Sequence, residues 1–391
     1  MTYQRERQYI FQLLNAVLSS NDVSCETTGL DWNVIYKLCK YHKIDNMIAY
    51  KVCSEPFALI IPEDIVSKFR LSLQKAKVRE AVQHIEYEQL QQLFEENKIK
   101  NIPLKGSILK YYYPSPDMRF MMDLDILCQE QDIEEAGTLL KKLGFQLKYP
   151  GEHHDIYIKP PYLVIELHKT CCAEDEELYE YFSTIWDRSQ KREEKNFIYD
   201  MTWDDFYIFL IGHMAKHFKY GGIGIRSLLD LTVFKQKLEK NCNRSYIENV
   251  LKNAGLLKIE EKMNDLAKKC LYTNENLQKD TELINFIWES GIKGTSGNKI
   301  GFLIGNQGGK NRKILKGQVK TLTSYIFLDR NHMQAMYPYV KKCPFLLPIA
   351  WLHRGVKKLI FEPQRIFKTI QRIFDRKNVA RTSKAQKDAG L

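Results

Sequence analysis

The stretch Met121-Met122-Asp123-Leu124-Asp125-Ile126-Leu127 decides how the chain is read. Acids alternate with apolar residues at a period of two, the pattern of a β-strand with one buried face. Asp123 and Asp125 are therefore expected to stand side by side while Leu124 and Ile126 turn to the core. Like charges that close repel unless a cation separates them. A hard divalent ion meets that need, and Mg²⁺, or Mn²⁺ in its place, prefers one or two carboxylates plus substrate phosphates to a complete protein cage.

Downstream, Tyr162 to His168 reads as a second strand in which Glu166 is the lone acid. Val164, Glu166 and His168 share one of its faces. Between the two strands the pattern predicts a helix from Ile133 to Leu143, closed by Gly144, and a further strand over Asp155 to Ile158. If the Glu166 strand lies beside the Asp123–Asp125 strand, three carboxylates converge, enough to hold two metal ions for in-line phosphoryl displacement. Glu166 is also placed to act as general base. Upstream, the period changes at Lys98, and Asn101-Ile102-Pro103-Leu104 opens onto Lys105-Gly106-Ser107. A glycine at a helix start lets the backbone approach a triphosphate, Ser107 adds a hydroxyl, Lys105 a charge, and Arg119 a bidentate phosphate clamp.

The flanks are helical in texture. Apolar positions recur at three and four in Tyr9, Ile10, Leu13, Leu14, Val17 and in Val34, Ile35, Leu38, Cys39. A longer pattern runs through Phe69, Leu73, Ala76, Ala81, Ile85, Leu90, Leu93 and Phe94. Helical patterning returns after Glu174, and seven glycines between Gly291 and Gly309 mark an irregular connection. The expected division is a helical domain over 1–95, an α/β core over 96–172, a helical domain over 173–290, a glycine-rich connection over 291–315, and a helical segment with a basic tail over 316–391.

With 391 residues, 44% of them hydrophobic, the chain is globular and long enough for two or three domains of roughly 100–200 residues. The nine cysteines include no C-x-x-C pair, so neither a disulfide framework nor a zinc ribbon is expected. The N-terminus lacks the order of a signal peptide and no apolar run is long enough to span a bilayer, which points to a cytoplasmic protein. Most of the net charge of +11 lies after Arg354, in a tail read as solvated, with RNA, an acidic protein or a membrane face as the anionic alternative.

Taken together, Leu104-Lys105-Gly106-Ser107, Arg119-Phe120-Met121-Met122-Asp123-Leu124-Asp125, Leu143-Gly144-Phe145, His153-His154, Glu166-Leu167-His168, His213-Met214-Ala215-Lys216-His217 and Arg226 to Leu231 resemble a bacterial branch of the DNA polymerase beta-like nucleotidyltransferase superfamily, the uncharacterised nucleotidyltransferase family. The resemblance covers about residues 95 to 235. It implies an α+β fold, a small mixed-sheet nucleotidyltransferase core flanked by N-terminal and C-terminal helical domains. It also implies that Gly106 and Ser107 bind the triphosphate of an NTP, ATP foremost, and that Asp123, Asp125 and Glu166 hold the metals. Glu166 stands where many relatives use Asp. The gap from Ser107 to Asp123 is longer than usual and accommodates Tyr111-Tyr112-Tyr113-Pro114.

Around this set, His154, His168, His213, His217, Arg226 and Asp230 are second-tier cleft candidates. His213 and His217 share a helix face but lack the glutamate of a zinc protease, and Arg226 and Asp230 have the spacing of a helix salt bridge. Gly305 to Asn311 fails as a P-loop, because Ile304 stands where it needs glycine and Asn311 where it needs Ser or Thr. The expected function is Mg²⁺-dependent transfer of an NMP from an NTP to an acceptor, which is a small molecule, a sugar, a peptide or a protein, with release of pyrophosphate. The rivals are a non-catalytic nucleotide-binding scaffold or sensor, an RNA-directed transferase using the basic tail, and attachment of Phe345 to Ile360 to a membrane face.

Overall fold

A computed structural model describes residues 3–19, 21–25, 27–161, 163–273, 281–292, 294–307 and 314–391. It divides into two units, one of Met1–Lys216 with Gly224–Thr281 and one of His217–Ile223 with Glu282–Leu391.

The first unit begins with α1 (Gln4–Ser19), α2 (Trp32–His42), α3 (Asp45–Val52), α4 (Phe57–Ile60) and the long α5 (Glu63–Glu96). Asp31 starts α2 by accepting from the backbone N–H groups of Asn33 and Val34 at 2.9 and 3.2 Å, donors that a helix start otherwise leaves open. α5 packs on α3 and, through Tyr87, Leu90 and Phe94, on the sheet. Its buried stripe also takes in Gln83, whereas Ile85, expected on that stripe, is exposed. One helix serving two partners does not keep a single register.

The sheet comprises β1 (Asn101–Pro103), β2 (Leu124–Cys128), β3 (Gln146–Tyr149), β4 (His154–Lys159) and β5 (Leu163–His168), in the order β1-β2-β5-β4-β3. α6 (Gly106–Leu109) follows β1, and α7 (Ile133–Lys142) links β2 to β3. The fold is thus α+β, a five-stranded mixed sheet with flanking helices. Leu124, Ile126, Cys128, Tyr157, Ile165 and Leu167 point to one face and are buried against α5 and α7. β2 and β5 run parallel with Asp125 opposite Glu166 and Leu127 opposite His168. β4 lies antiparallel to β5 with His154 opposite His168.

β2, β4, β5 and α7 match the sequence pattern, while β1 and β3 add two strands it did not reveal. β1 carries Pro103, which an edge strand tolerates because its missing N–H breaks no central ladder. All four residues of β3 are exposed, so no alternation marks it. Asp123 lies just before β2 rather than within it.

The unit continues with α8 (Tyr179–Ser183), α9 (Ile185–Arg188), the hairpin β6 (Gln190–Lys191) and β7 (Tyr199–Asp200), α10 (Trp203–Lys219) as far as Lys216, α11 (Ile225–Lys237), α12 (Arg244–Asn253) and α13 (Leu257–Lys268). Phe234 of α11 stacks on Phe206 and Tyr207 of α10, with ring centroids 6.1 and 4.7 Å away.

The second unit contains α14 (Thr281–Ser290), α15 (Ser296–Gln307), α16 (Ile314–Ile326), α17 (Arg330–Met336), α18 (Tyr339–Lys342), α19 (Leu347–Phe361), α20 (Pro363–Phe374) and α21 (Arg376–Ala389). Here the expectation of an irregular glycine-rich connection is corrected, because 296–307 is helical. A Cβ on Gly301 would come within 2.7 Å of Thr382 Oγ1 and one on Gly305 within 3.0 Å of Ser383 Oγ. The glycines therefore let α15 and α21 approach closely. Gly308 to Asn311, part of the rejected P-loop, lie outside the described residues. The basic tail is corrected likewise. α21 is a docked helix that buries Val379, Thr382, Ala385 and Ala389, with Asn378 Nδ2 donating to the Gly297 carbonyl at 2.7 Å. Among the described residues no helix is long and apolar enough to cross a membrane.

Candidate active site

The face of the sheet opposite α5 and α7 carries Asp125, Glu166 and His168. Parallel pairing sets Asp125 beside Glu166, and alternation along β5 puts His168 next to Glu166 on that face. One ligand atom from each of Asp125, Glu166 and His168 lies within 4.8 Å of the other two. His168 Nε2 is 3.0 Å from Asp125 Oδ1 and 3.6 Å from Glu166 Oε2. His154 completes the edge of the group, its Nε2 3.9 Å from Glu166 Oε2 and its ring 5.0 Å from that of His168.

Lys105 enters from the turn before α6, with Nζ 3.2 Å from Asp125 Oδ1. Its φ of 45° and ψ of −113° are unusual for a side-chain-bearing residue. Backbone held in so sparsely populated a region marks a turn that its surroundings over-determine.

Burial alone would raise the pKa of Asp125, but the Lys105 ammonium and the hydrogen bond and charge of His168, with help from His213, hold it well below the usual carboxylate range. Glu166 is also lowered, its own burial being outweighed by the His168 hydrogen bond. His168 is raised, since its bonds to Asp125 and Glu166 overcome the penalty of burying its charge. Burial and then the positive His168 push His154 down. Two carboxylates and an imidazole able to meet at one point are a suitable donor set for a divalent ion, with the imidazole better matched to Mn²⁺ than to Mg²⁺.

Asp123 is not in this cluster. It is half-exposed, and its charge acts instead on Arg226. Because β2 starts only at Leu124, the strand alternation that was to align Asp123 with Asp125 does not reach it, and the side chains that meet are Asp125, Glu166 and His168.

Arg119 is likewise engaged within the protein. Its Nε and Nη2 each donate at 2.8 Å to the two oxygens of Asp230, which also accepts from the Tyr113 hydroxyl at 2.6 Å. All three residues are buried. Arg226 donates to the Phe120 carbonyl at 2.8 Å, so the expected Arg226–Asp230 helix pair gives way to the longer-range one. The remaining guanidinium nitrogen of Arg119 rests on Gly106, where a Cβ would lie 2.1 Å from Nη1.

Ser107 is buried with its Oγ unpartnered. It lines a cavity of about 730 Å³ together with Tyr87, Tyr111, Tyr112, Trp203 and Phe206. His213, half-buried on α10, acts electrostatically on Asp125, and His217 follows one turn later on the same helix.

The uncharacterised nucleotidyltransferase family matches residues 28–272, a span that takes in α2 to α13 and every residue of the cluster. The chain belongs to that family. Nucleotidyl transfer is therefore its class of reaction. No curated protein and no solved structure matches the chain.

Proposed function

We propose that the chain is a metal-dependent enzyme of the polymerase beta-like type that transfers an NMP from an NTP, ATP being the first to test, to a hydroxyl or phosphate of an acceptor. The observation that carries this reading is the buried Asp125–Glu166–His168 group beside the Lys105 turn. A divalent ion held by those three side chains would supply charge neutralisation for the triphosphate and its departing pyrophosphate. Lys105 would exchange its ion pair with Asp125 for a phosphate oxygen, and the unpartnered Ser107 hydroxyl would donate to another. Glu166, the most exposed member of the group, would accept the proton that the attacking acceptor hydroxyl releases. The aromatic cavity that Ser107 lines has the size and mixed polarity of a small-molecule site and would hold the acceptor or a side chain of it.

The test is incubation with each α-labelled NTP, Mn²⁺ or Mg²⁺ and a cell extract, following pyrophosphate release and the labelled product. Asp125→Asn should lower the rate by about 10²–10³-fold, the scale of losing one pre-positioned electrostatic group. An Asp125→Asn enzyme as active as the original would refute the assignment.

A second reading, a nucleotide-binding protein without transfer, is favoured by the engagement of Arg119 with Asp230 and the absence of Asp123 from the cluster. Calorimetric titration with ATP and Mn²⁺, showing binding without pyrophosphate release in any extract, would decide for it.

A further inference from the structure

The second unit exposes apolar side chains where water would be expected to select polar ones. On α19, Ile349, Leu352, Val356, Leu359 and Ile360 fall at spacings that make one exposed stripe, while Ala350 and Arg354 on the other side are buried. Leu352 of the stripe is 70% exposed, and so are Phe345, before the helix, at 78% and Phe361, its last residue, at 74%. α20 repeats the pattern, with Phe367, Ile370 and Phe374 exposed and Arg365, Lys368 and Arg372 on its opposite side. Single exposed apolar residues are ordinary, but an exposed apolar stripe on each of two consecutive helices is not.

Charge indicates what covers it. Lys357, Lys358, Arg365, Lys368 and Arg372 occupy the polar sides of these two amphipathic helices, against Glu362 as the single acid between Leu347 and Phe374. Where the two helices join, Phe361, Pro363, Arg365, Lys368 and Arg372 line a hollow of about 510 Å³, and Glu362 in its wall is paired with Arg365 at 2.9 Å. A phosphate-sized anion is the natural complement of such a basic hollow, and acyl chains are the complement of the stripe.

We propose that α19 and α20 form a peripheral docking surface for an anionic phospholipid bilayer, with the Phe, Leu and Ile side chains in the headgroup–acyl boundary and the Lys and Arg side chains on lipid phosphates. An RNA partner would use the cations but leave Leu352, Leu359 and Ile360 in water. This surface does not depend on the transferase reading.

The test is sedimentation of the full chain with sucrose-loaded vesicles of phosphatidylcholine alone or mixed with phosphatidylglycerol, at low and high salt. Retention should require phosphatidylglycerol, fall with salt, and drop by about tenfold or more in Leu352→Ser/Phe361→Ser/Phe367→Ser. Circular dichroism and thermal unfolding would check that this variant keeps its fold. If it does not, Arg365→Glu/Lys368→Glu supplies the same comparison. The proposal is overturned by absence of retention on the mixed vesicles, by equal retention of folded variants, by a dimer in light scattering that the serine variant dissociates without any vesicle binding, or by RNA binding that the charge variant abolishes while vesicles are ignored.

Discussion

Gly106 has an identifiable reason to be glycine. The Arg119 guanidinium lies against its Cα, so any side chain there would push Arg119 away from Asp230. Gly106→Ala should therefore strand a buried carboxylate and cost about 3–5 kcal/mol, the range for breaking a buried ion pair, measured by chemical denaturation. It should also lower transfer activity, because Lys105 and Ser107 flank the displaced residue. The sequence suggested a glycine that makes room for phosphate; the structure adds a further reason, room for arginine. Nothing in the local pattern reveals a partner 111 residues away in Asp230. By contrast, Glu166 and His168 on one face of β5 were legible, because alternation along a strand is a local property. Asp123 was read as a strand residue for the same local reason, since a pattern does not announce that the strand begins one residue later.

At the scale of elements, α10, α12 and α13 are tied by Glu260. Fully buried, it accepts from Arg244 Nη1 and Nη2 at 2.6 and 2.9 Å, from the Tyr207 hydroxyl at 2.7 Å and from Asn264 Nδ2 at 2.7 Å. Its burial alone would raise its pKa, yet Arg244 and Tyr207 leave it lowered. A carboxylate whose folded-state pKa is depressed contributes stability above its unfolded value, about 4.3, and loses that contribution as pH falls through the folded value. Glu260→Gln should thus destabilise by about 2–3 kcal/mol at neutral pH, somewhat reduced because Arg244 is partly in water. The gap in melting temperature between the two proteins should close as pH drops below about 4. Which strands exist was legible where they are buried and alternate. The edge strands β1 and β3 were not: β3 is exposed throughout, and β1, though buried, is three residues long with an asparagine and a proline in it, too short to show an alternation.

For the molecule as a whole, glycine density misled where composition was weighed without packing. Gly301 and Gly305 bring α15 against α21, and the C-terminal helix thereby gains a seat. Gly301→Val should unseat it. The expected result is rapid proteolysis after Asp375, with nucleotidyl transfer reduced much less than in Asp125→Asn.

The Asp230–Arg119–Gly106 chain has one more consequence. Besides its ties to β2, the Lys105–Ser107 turn is linked through Arg119 and Asp230 to α11, a helix far along the chain. Variation on α11 can re-aim the turn without altering any of its own residues. Changed preference for donor or acceptor should be sought first among substitutions on the inner side of α11, at positions no inventory of contacting residues would nominate.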